Sequence, residues 1–142
     1  MSIDVEKLLE ELKRDEGYRD CVYTCSAGKL TIGYGHNVED NPISDRAAEL
    51  ILLDDVGGVI SKLEVLPWWR FLDGTRKRAM INMAFNLGFA GMMKFKKMIA
   101  AIEKKNFEQA ATEMLNSRWA DQVGERADRL AKMMFTGDSN GH

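Results

Sequence analysis

Glu16-Gly17-Tyr18-Arg19-Asp20-Cys21-Val22-Tyr23-Thr24-Cys25-Ser26-Ala27-Gly28-Lys29-Leu30-Thr31-Ile32-Gly33-Tyr34-Gly35-His36 carries the decisive pattern of this chain. A carboxylate, Glu16, stands at its head. A thiol, Cys25, follows after eight intervening residues, and a hydroxyl, Thr31, after five more. Cys21-Val22-Tyr23-Thr24 and Leu30-Thr31-Ile32 favour β structure, and Ser26-Ala27-Gly28-Lys29 between them has turn composition. Residues 21–36 therefore read as strand, turn, strand. Gly33 and Gly35 permit close backbone approach or dihedrals closed to other residues. An acid, a second ionisable group and a hydroxyl around one turn are enough parts for a small hydrolytic site. Each also has a plainer reading: a solvated helix-end carboxylate for Glu16, and a small buried side chain for Cys25.

Upstream, Ile3, Val5, Leu8, Leu9 and Leu12 recur on one face of a helix, with Ser2 as a candidate cap and Gly17 as a stop. Glu16 then ends that helix, where the dipole disfavours an anion, a placement that suits a proton donor. Downstream, residues 37–42 read as a loop and Ser44 opens a helix that Pro67 ends. Gly57 and Gly58 weaken it by roughly 1 kcal/mol each and suggest a bend or close crossing. Helices follow from Asp73 or Thr75 to Leu87, from about Phe95 to Lys105, from Phe107 to Leu115, and from about Gly124 to Phe135. Most of the nine methionines fall in them, and soft core filler is their simplest role. The fold class expected is α+β, mainly α.

At 142 residues the chain suits a single domain able to bury its own core. We divide it into an N-terminal helix (1–13), a small β lobe (14–43), a linking helix (44–66), a helical lobe (67–136) and a tail (137–142). The net charge of −2 hides an asymmetry: residues 1–66 carry 7 Lys+Arg against 14 Asp+Glu, and residues 67–142 carry 13 against 8. A basic second half suits an anionic polymer. No apolar run approaches the roughly 20 residues that span a bilayer, and the acidic, amphipathic start does not resemble a signal peptide. Cys21, Cys25, His36 and His142 match no zinc spacing, so neither a metal nor a cofactor is expected. No nucleic-acid motif is present, which argues against a nucleic-acid partner despite the basic half.

The chain resembles the phage-type lysozymes, glycoside hydrolase family 24, as found in the T-even phages. Their pattern is Glu, eight residues, Asp or Cys, five residues, Thr, which Glu16, Cys25 and Thr31 reproduce. Asp15-Glu16-Gly17 and Thr31-Ile32-Gly33-Tyr34-Gly35-His36 match around it. Residues 43–49, 78–88, 117–119, 125–129 and 136–137 match in order farther along. The resemblance implies a lysozyme-like fold: a small β-hairpin lobe, a linking helix and a helical C-terminal lobe. It implies hydrolysis of the β-1,4 bond from N-acetylmuramic acid to N-acetylglucosamine in bacterial peptidoglycan. Three departures stand out, one being that many members are strongly basic while this chain is slightly acidic, with a positive balance only in its second half. The loop after His36 is much shorter than in the T-even members, and Cys25 stands where they have Asp.

The resemblance also implies roles. Glu16 is the general acid, and Cys25 is a base, a nucleophile or an electrostatic partner. Thr31 holds the attacking water if the reaction inverts. Phe85, Asn86 and Arg118 align with the substrate-binding wall. Arg126 is expected near Glu16, Asp15 near Arg129, and His36 paired with Asp55. An endolysin of this kind is expected to be a monomer without stable membrane association. It would be held in the host cytoplasm until a separate holin-like pore releases it. A catalytically weak peptidoglycan-binding module on the same fold is the alternative, and a Cys25–His36 hydrolase is a more distant one.

Overall fold

A computed structural model describes residues 2–138. His142 and the last four residues of the expected tail lie outside the described residues. The chain forms two compact units, Met1–Leu50 and Ile51–His142. The division falls inside the expected linking helix.

In the first unit α1 spans Val5–Glu16: it ends at Glu16 as the Gly17 stop implied, three residues beyond the 1–13 segment. Its cap is Asp4 rather than Ser2: the carboxylate accepts the Lys7 N–H at 3.1 Å. Gly17, at φ 73°, ends the helix and donates its N–H to the Lys13 carbonyl. The left-handed turn that stops the helix also fixes where the Glu16 side chain leaves it. β1 (Arg19–Thr24), β2 (Leu30–Gly33) and β3 (His36–Asn37) form an antiparallel sheet in that order. Arg19 pairs with Gly33 and Tyr23 with Thr31, so β1 carries extra residues there and bulges. β3 takes His36, the last residue of the expected strand-turn-strand, and Asn37, the first of the expected loop; they pair with Ile32 and Thr31.

α2 (Asp45–Leu63) begins with Ser44 Oγ accepting the Ala47 N–H at 3.1 Å. It runs through Gly57 and Gly58 without a break, so the expected bend is absent. The Ser61 hydroxyl bonds back to the Gly57 carbonyl at 3.0 Å. A single 3-10 turn, Trp69–Phe71, leads to α3 (Gly74–Leu87), capped by Asp73 and stopped by Gly88. α4 (Phe89–Met93), α5 (Lys96–Glu103), α6 (Phe107–Leu115), α7 (Arg118–Val123) and α8 (Glu125–Thr136) follow.

The second unit has a continuous apolar core. Met80 and Met83 of α3 meet Met92, Met98, Ile102, Met114 and Met134, all fully buried, with Trp68 and Trp119 at its edges. Burying each such side chain is worth about 1.5–3 kcal/mol. The methionines of this helical unit thus serve as flexible filler at irregular contacts between short helices. α3 sends Met80, Met83 and Ala84 into this core while Phe85 stays 41% exposed.

Candidate active site

The first unit carries Glu16, Cys25 and Thr31 on one short piece of chain. Glu16 is the last residue of α1. Its carboxylate lies over Gly35, in the turn between β2 and β3: a Cβ there would come 2.7 Å from Glu16 Oε2. Gly35 also has φ 76°, a left-handed conformation that favours glycine. Both the dihedral and the approach of the acid require that residue.

Cys25 and Thr31 meet around the 25–29 turn. The Cys25 N–H donates to the Lys29 carbonyl at 2.9 Å, and the Cys25 carbonyl accepts the Gly28 N–H at 2.9 Å. Thr31, the one buried polar residue among the described residues, donates its hydroxyl to the same Lys29 carbonyl at 2.9 Å. The Lys29 backbone N–H, then the Thr31 hydroxyl, then the backbone at Ala27 hold the Cys25 thiol below its ordinary range by hydrogen bonding the thiolate. These donors outweigh the small desolvation that opposes them. Thr31 has only one hydroxyl proton, so it serves the Lys29 carbonyl when Cys25 is a thiol and the sulfur when it is a thiolate. Cys21 and Cys25 are both free.

The remaining polar residues of this unit lie nearby in sequence. His36 Nε2 is 3.2 Å from the Asn41 carbonyl, and Asp15 meets Arg14 at 3.3 Å on the surface. Lys29 reaches Glu39 at 3.5 Å and Asp40 at 3.3 Å.

In the second unit, α3 and the start of α7 carry the expected sugar-binding side chains. Trp119 Nε1 donates to Asn86 Oδ1 at 2.7 Å. Indole N–H can only donate, so the Asn86 oxygen is committed inward and its NH₂ is left as the donor. Phe85 is exposed and lines a hollow of about 420 Å³ with Ile81, Asn82 and Arg126. Asp55 and Phe85 line a second hollow of about 400 Å³. Arg118 opens α7 directly after its cap Ser117, whose Oγ accepts the Ala120 N–H at 3.1 Å. With Trp119, Phe95, Lys94 and Lys97 it lines a larger groove of about 650 Å³, whose lining mixes apolar and basic side chains with Glu113.

Arg126 is held by Asn82, with Nε to Oδ1 at 2.9 Å. Arg129 lies one turn farther along α8. Asn82 and Trp119 were missed as site residues. The spacing of Asn82, Phe85 and Asn86 on one helical face was the signal for Asn82. Nothing in the sequence announced the Trp119–Asn86 bond, which spans 33 positions.

The phage lysozyme family model matches residues 13–133, which include every one of these side chains. The chain belongs to the phage lysozyme family. That membership makes it a glycoside hydrolase, and a small antiparallel sheet in one unit with a mainly helical second unit is the lysozyme-like composition expected. Among its relatives is a probable T4-type lysozyme 2 of Dictyostelium discoideum, 29% identical over 94% of this chain and 96% of that protein. A probable T4-type lysozyme 1 of the same organism is 28% identical over 97% and 99%. The pre-baseplate central spike protein Gp5 of Enterobacteria phage T4 is 30% identical over 92% of this chain but only 28% of its own length.

Proposed function

We propose that this family member is an endolysin muramidase. It cleaves the β-1,4 bond from N-acetylmuramic acid to N-acetylglucosamine in peptidoglycan, with Glu16 as general acid. The observation that carries the reading is the Cys25–Thr31 pair, a hydrogen-bonded thiol and a buried hydroxyl on the same small sheet whose β2–β3 turn lies under the Glu16 carboxylate. That arrangement joins a proton donor to a group able to take a proton from water.

In the step, Glu16 gives its proton to the leaving glycosidic oxygen as the bond from that oxygen to the anomeric carbon breaks. Thr31 orients a water for attack on the opposite face of the sugar. The water oxygen bonds to the anomeric carbon, and the displaced proton passes to the Cys25 thiolate. The anomeric configuration inverts. Phe85 offers an apolar ring face to a sugar, and Asn86 and Arg118 offer N–H donors to its N-acetyl and hydroxyl oxygens. The family resemblance is what supports an auxiliary polar role for Asp15, His36, Asp55, Arg126 and Arg129; within their own units Asp15 meets Arg14, His36 meets the Asn41 carbonyl and Arg126 meets Asn82.

Glu16→Gln tests the reading on purified peptidoglycan. The wild-type enzyme should release new reducing-end muramic acid, and the variant should lose about 10²–10⁴-fold in rate while still sedimenting with the wall. Wall binding without turnover in the wild type would instead make the chain a peptidoglycan-binding module.

A further inference from the structure

We propose that Glu39, in the short loop after β3, is a positioning residue that sets the turn carrying Cys25 and Thr31. It acts through the single peptide group joining Lys29 to Leu30.

The two ends of that peptide group point to different partners. At one end the Leu30 N–H donates to Glu39 Oε1 at 3.2 Å. At the other the Lys29 carbonyl accepts from the Cys25 N–H and from the Thr31 hydroxyl, both at 2.9 Å. Fixing one end of a rigid, planar amide fixes the other. A carboxylate on the N–H also polarises the group and makes its carbonyl a better acceptor. Glu39 therefore aims the carbonyl that anchors both the thiol residue and the hydroxyl.

Further contacts hold Glu39 in place. Its own N–H donates to the Leu30 carbonyl at 3.3 Å, so the loop grips β2 from both sides of one residue. Glu39 Oε2 and Asp40 Oδ2 both reach Lys29 Nζ, at 3.5 and 3.3 Å. Asp40 is in turn tied to Asn37, with its N–H on Asn37 Oδ1 at 3.1 Å and its carboxylate accepting the Asn37 amide at 3.0 Å. The exposed ion pairs themselves contribute little to stability, so the contact that matters is the carboxylate-to-amide bond.

The inference rests on the reading of Cys25 and Thr31 as site residues, and two measurements separate them. Both use a Cys21→Ser background, so that Cys25 is the only thiol. The first is the pH dependence of Cys25 alkylation by iodoacetamide, which reads the turn geometry directly. The second is kcat and KM on peptidoglycan. The charged groups that meet at this turn are Lys29, Glu39 and Asp40. Glu39→Gln keeps an acceptor for the Leu30 N–H and should leave the alkylation midpoint and kcat within about twofold of the parent. Compared with Glu39→Gln, which lacks the charge equally, Glu39→Ala should move the midpoint upward, because a loosened turn no longer gathers the Lys29 N–H and the Thr31 hydroxyl at the sulfur. It should also lower kcat about tenfold with KM little changed, a factor worth about 1.4 kcal/mol. Glu39→Asp keeps the charge but loses reach, and should behave like Glu39→Ala; it serves as the test if the alanine variant does not fold. An unmoved midpoint in the Ala or Asp variants overturns the proposal, whatever happens to activity. So does a glutamine variant as impaired as alanine. A midpoint that shifts while kcat stays constant supports Glu39 as the positioning residue and removes Cys25 from the reaction.

Discussion

At Cys25 and Thr31, one hydroxyl proton has two acceptors, and which one it serves depends on the charge of the sulfur. The hydrogen bonds from the Lys29 N–H and from Thr31 lower the thiol from its ordinary value of about 8.5. A thiolate that takes a proton from water is active only above its folded-state value. Wild-type kcat should therefore rise with pH through a midpoint below the ordinary thiol range. Cys25→Asp substitutes a group that ionises at about 3.9 and should extend activity to lower pH. Rate profiles from pH 4 to 9 would read this, and an acid limb that is the same in both proteins would exclude Cys25 as the base. Gly35 makes a different prediction. Alanine there must adopt φ 76° and would place a methyl 2.7 Å from Glu16 Oε2. The carboxylate is the free end of an exposed side chain and can swing aside. Stability should fall by about 1–2 kcal/mol from the dihedral alone, while activity falls at least tenfold because the acid is displaced. Thermal melting and kcat, measured together, separate the two losses.

Among the elements, α3 and α8 are joined where one begins and the other ends. Arg76 in the first turn of α3 donates from Nε to the Met134 carbonyl at 2.6 Å and from Nη2 to the Phe135 carbonyl at 3.0 Å. It thereby satisfies carbonyls that the end of α8 leaves free and opposes the negative end of its dipole. Its plane lies 3.8 Å from the Phe107 ring centre, and Asp73 pairs with Nη1 at 3.0 Å. Asp138 closes the joint by accepting the Thr75 hydroxyl at 2.6 Å and the Thr75 N–H at 2.9 Å. Those bonds, the hydroxyl first, lower the Asp138 carboxyl below its ordinary 3.8. A depressed carboxylate stabilises the fold fully above 3.8 and loses that contribution as pH falls through the folded value beneath it. The melting temperature of the wild type should exceed that of Asp138→Ala at pH 7, and the gap should narrow below pH 3.8. A gap independent of pH would mean the charge plays no part.

This joint also marks where sequence reading stops. α3, α6 and α8 were legible because their apolar spacing and their Asp73, Asn106 and Gly88 boundaries are local signals. α4 and α7 were not, because five and six residues are too few for a helical period to stand out. β3 went unseen because two residues have no alternation, and the Asp4 cap was read two residues early. Within the site, the spacing of Glu16, Cys25 and Thr31 was visible. The amide that links Cys25 and Thr31, and the Glu39 carboxylate behind it, follow only from the folded turn.

Across the whole molecule the two units differ in what they bury. Every buried apolar side chain among the described residues, from Leu63 to Met134, belongs to Ile51–His142. Met1–Leu50 contributes only the Thr31 side chain to the buried set. Small chains are marginal because the fraction of surface they can bury shrinks as the chain shortens, and below about 40 residues staples or partners are usually needed. The first unit is close to that limit, with a helix, three short strands and no disulfide among its described residues. The second has a methionine-rich core with Trp68 and Trp119 fixed at its edges, and the Arg76–Asp138 joint closing its chain end. A fragment of residues 51–142 should therefore fold alone, showing helical circular dichroism and a cooperative urea transition, whereas a fragment of residues 1–50 should not. Met80→Ala, which opens a cavity in the fully buried face of α3, should lower the stability of both the fragment and the full chain by about 2–5 kcal/mol. An equal loss in the two would place the stability of the protein in its helical unit. A fragment of residues 51–142 with no cooperative transition would show that the core depends on the chain before it.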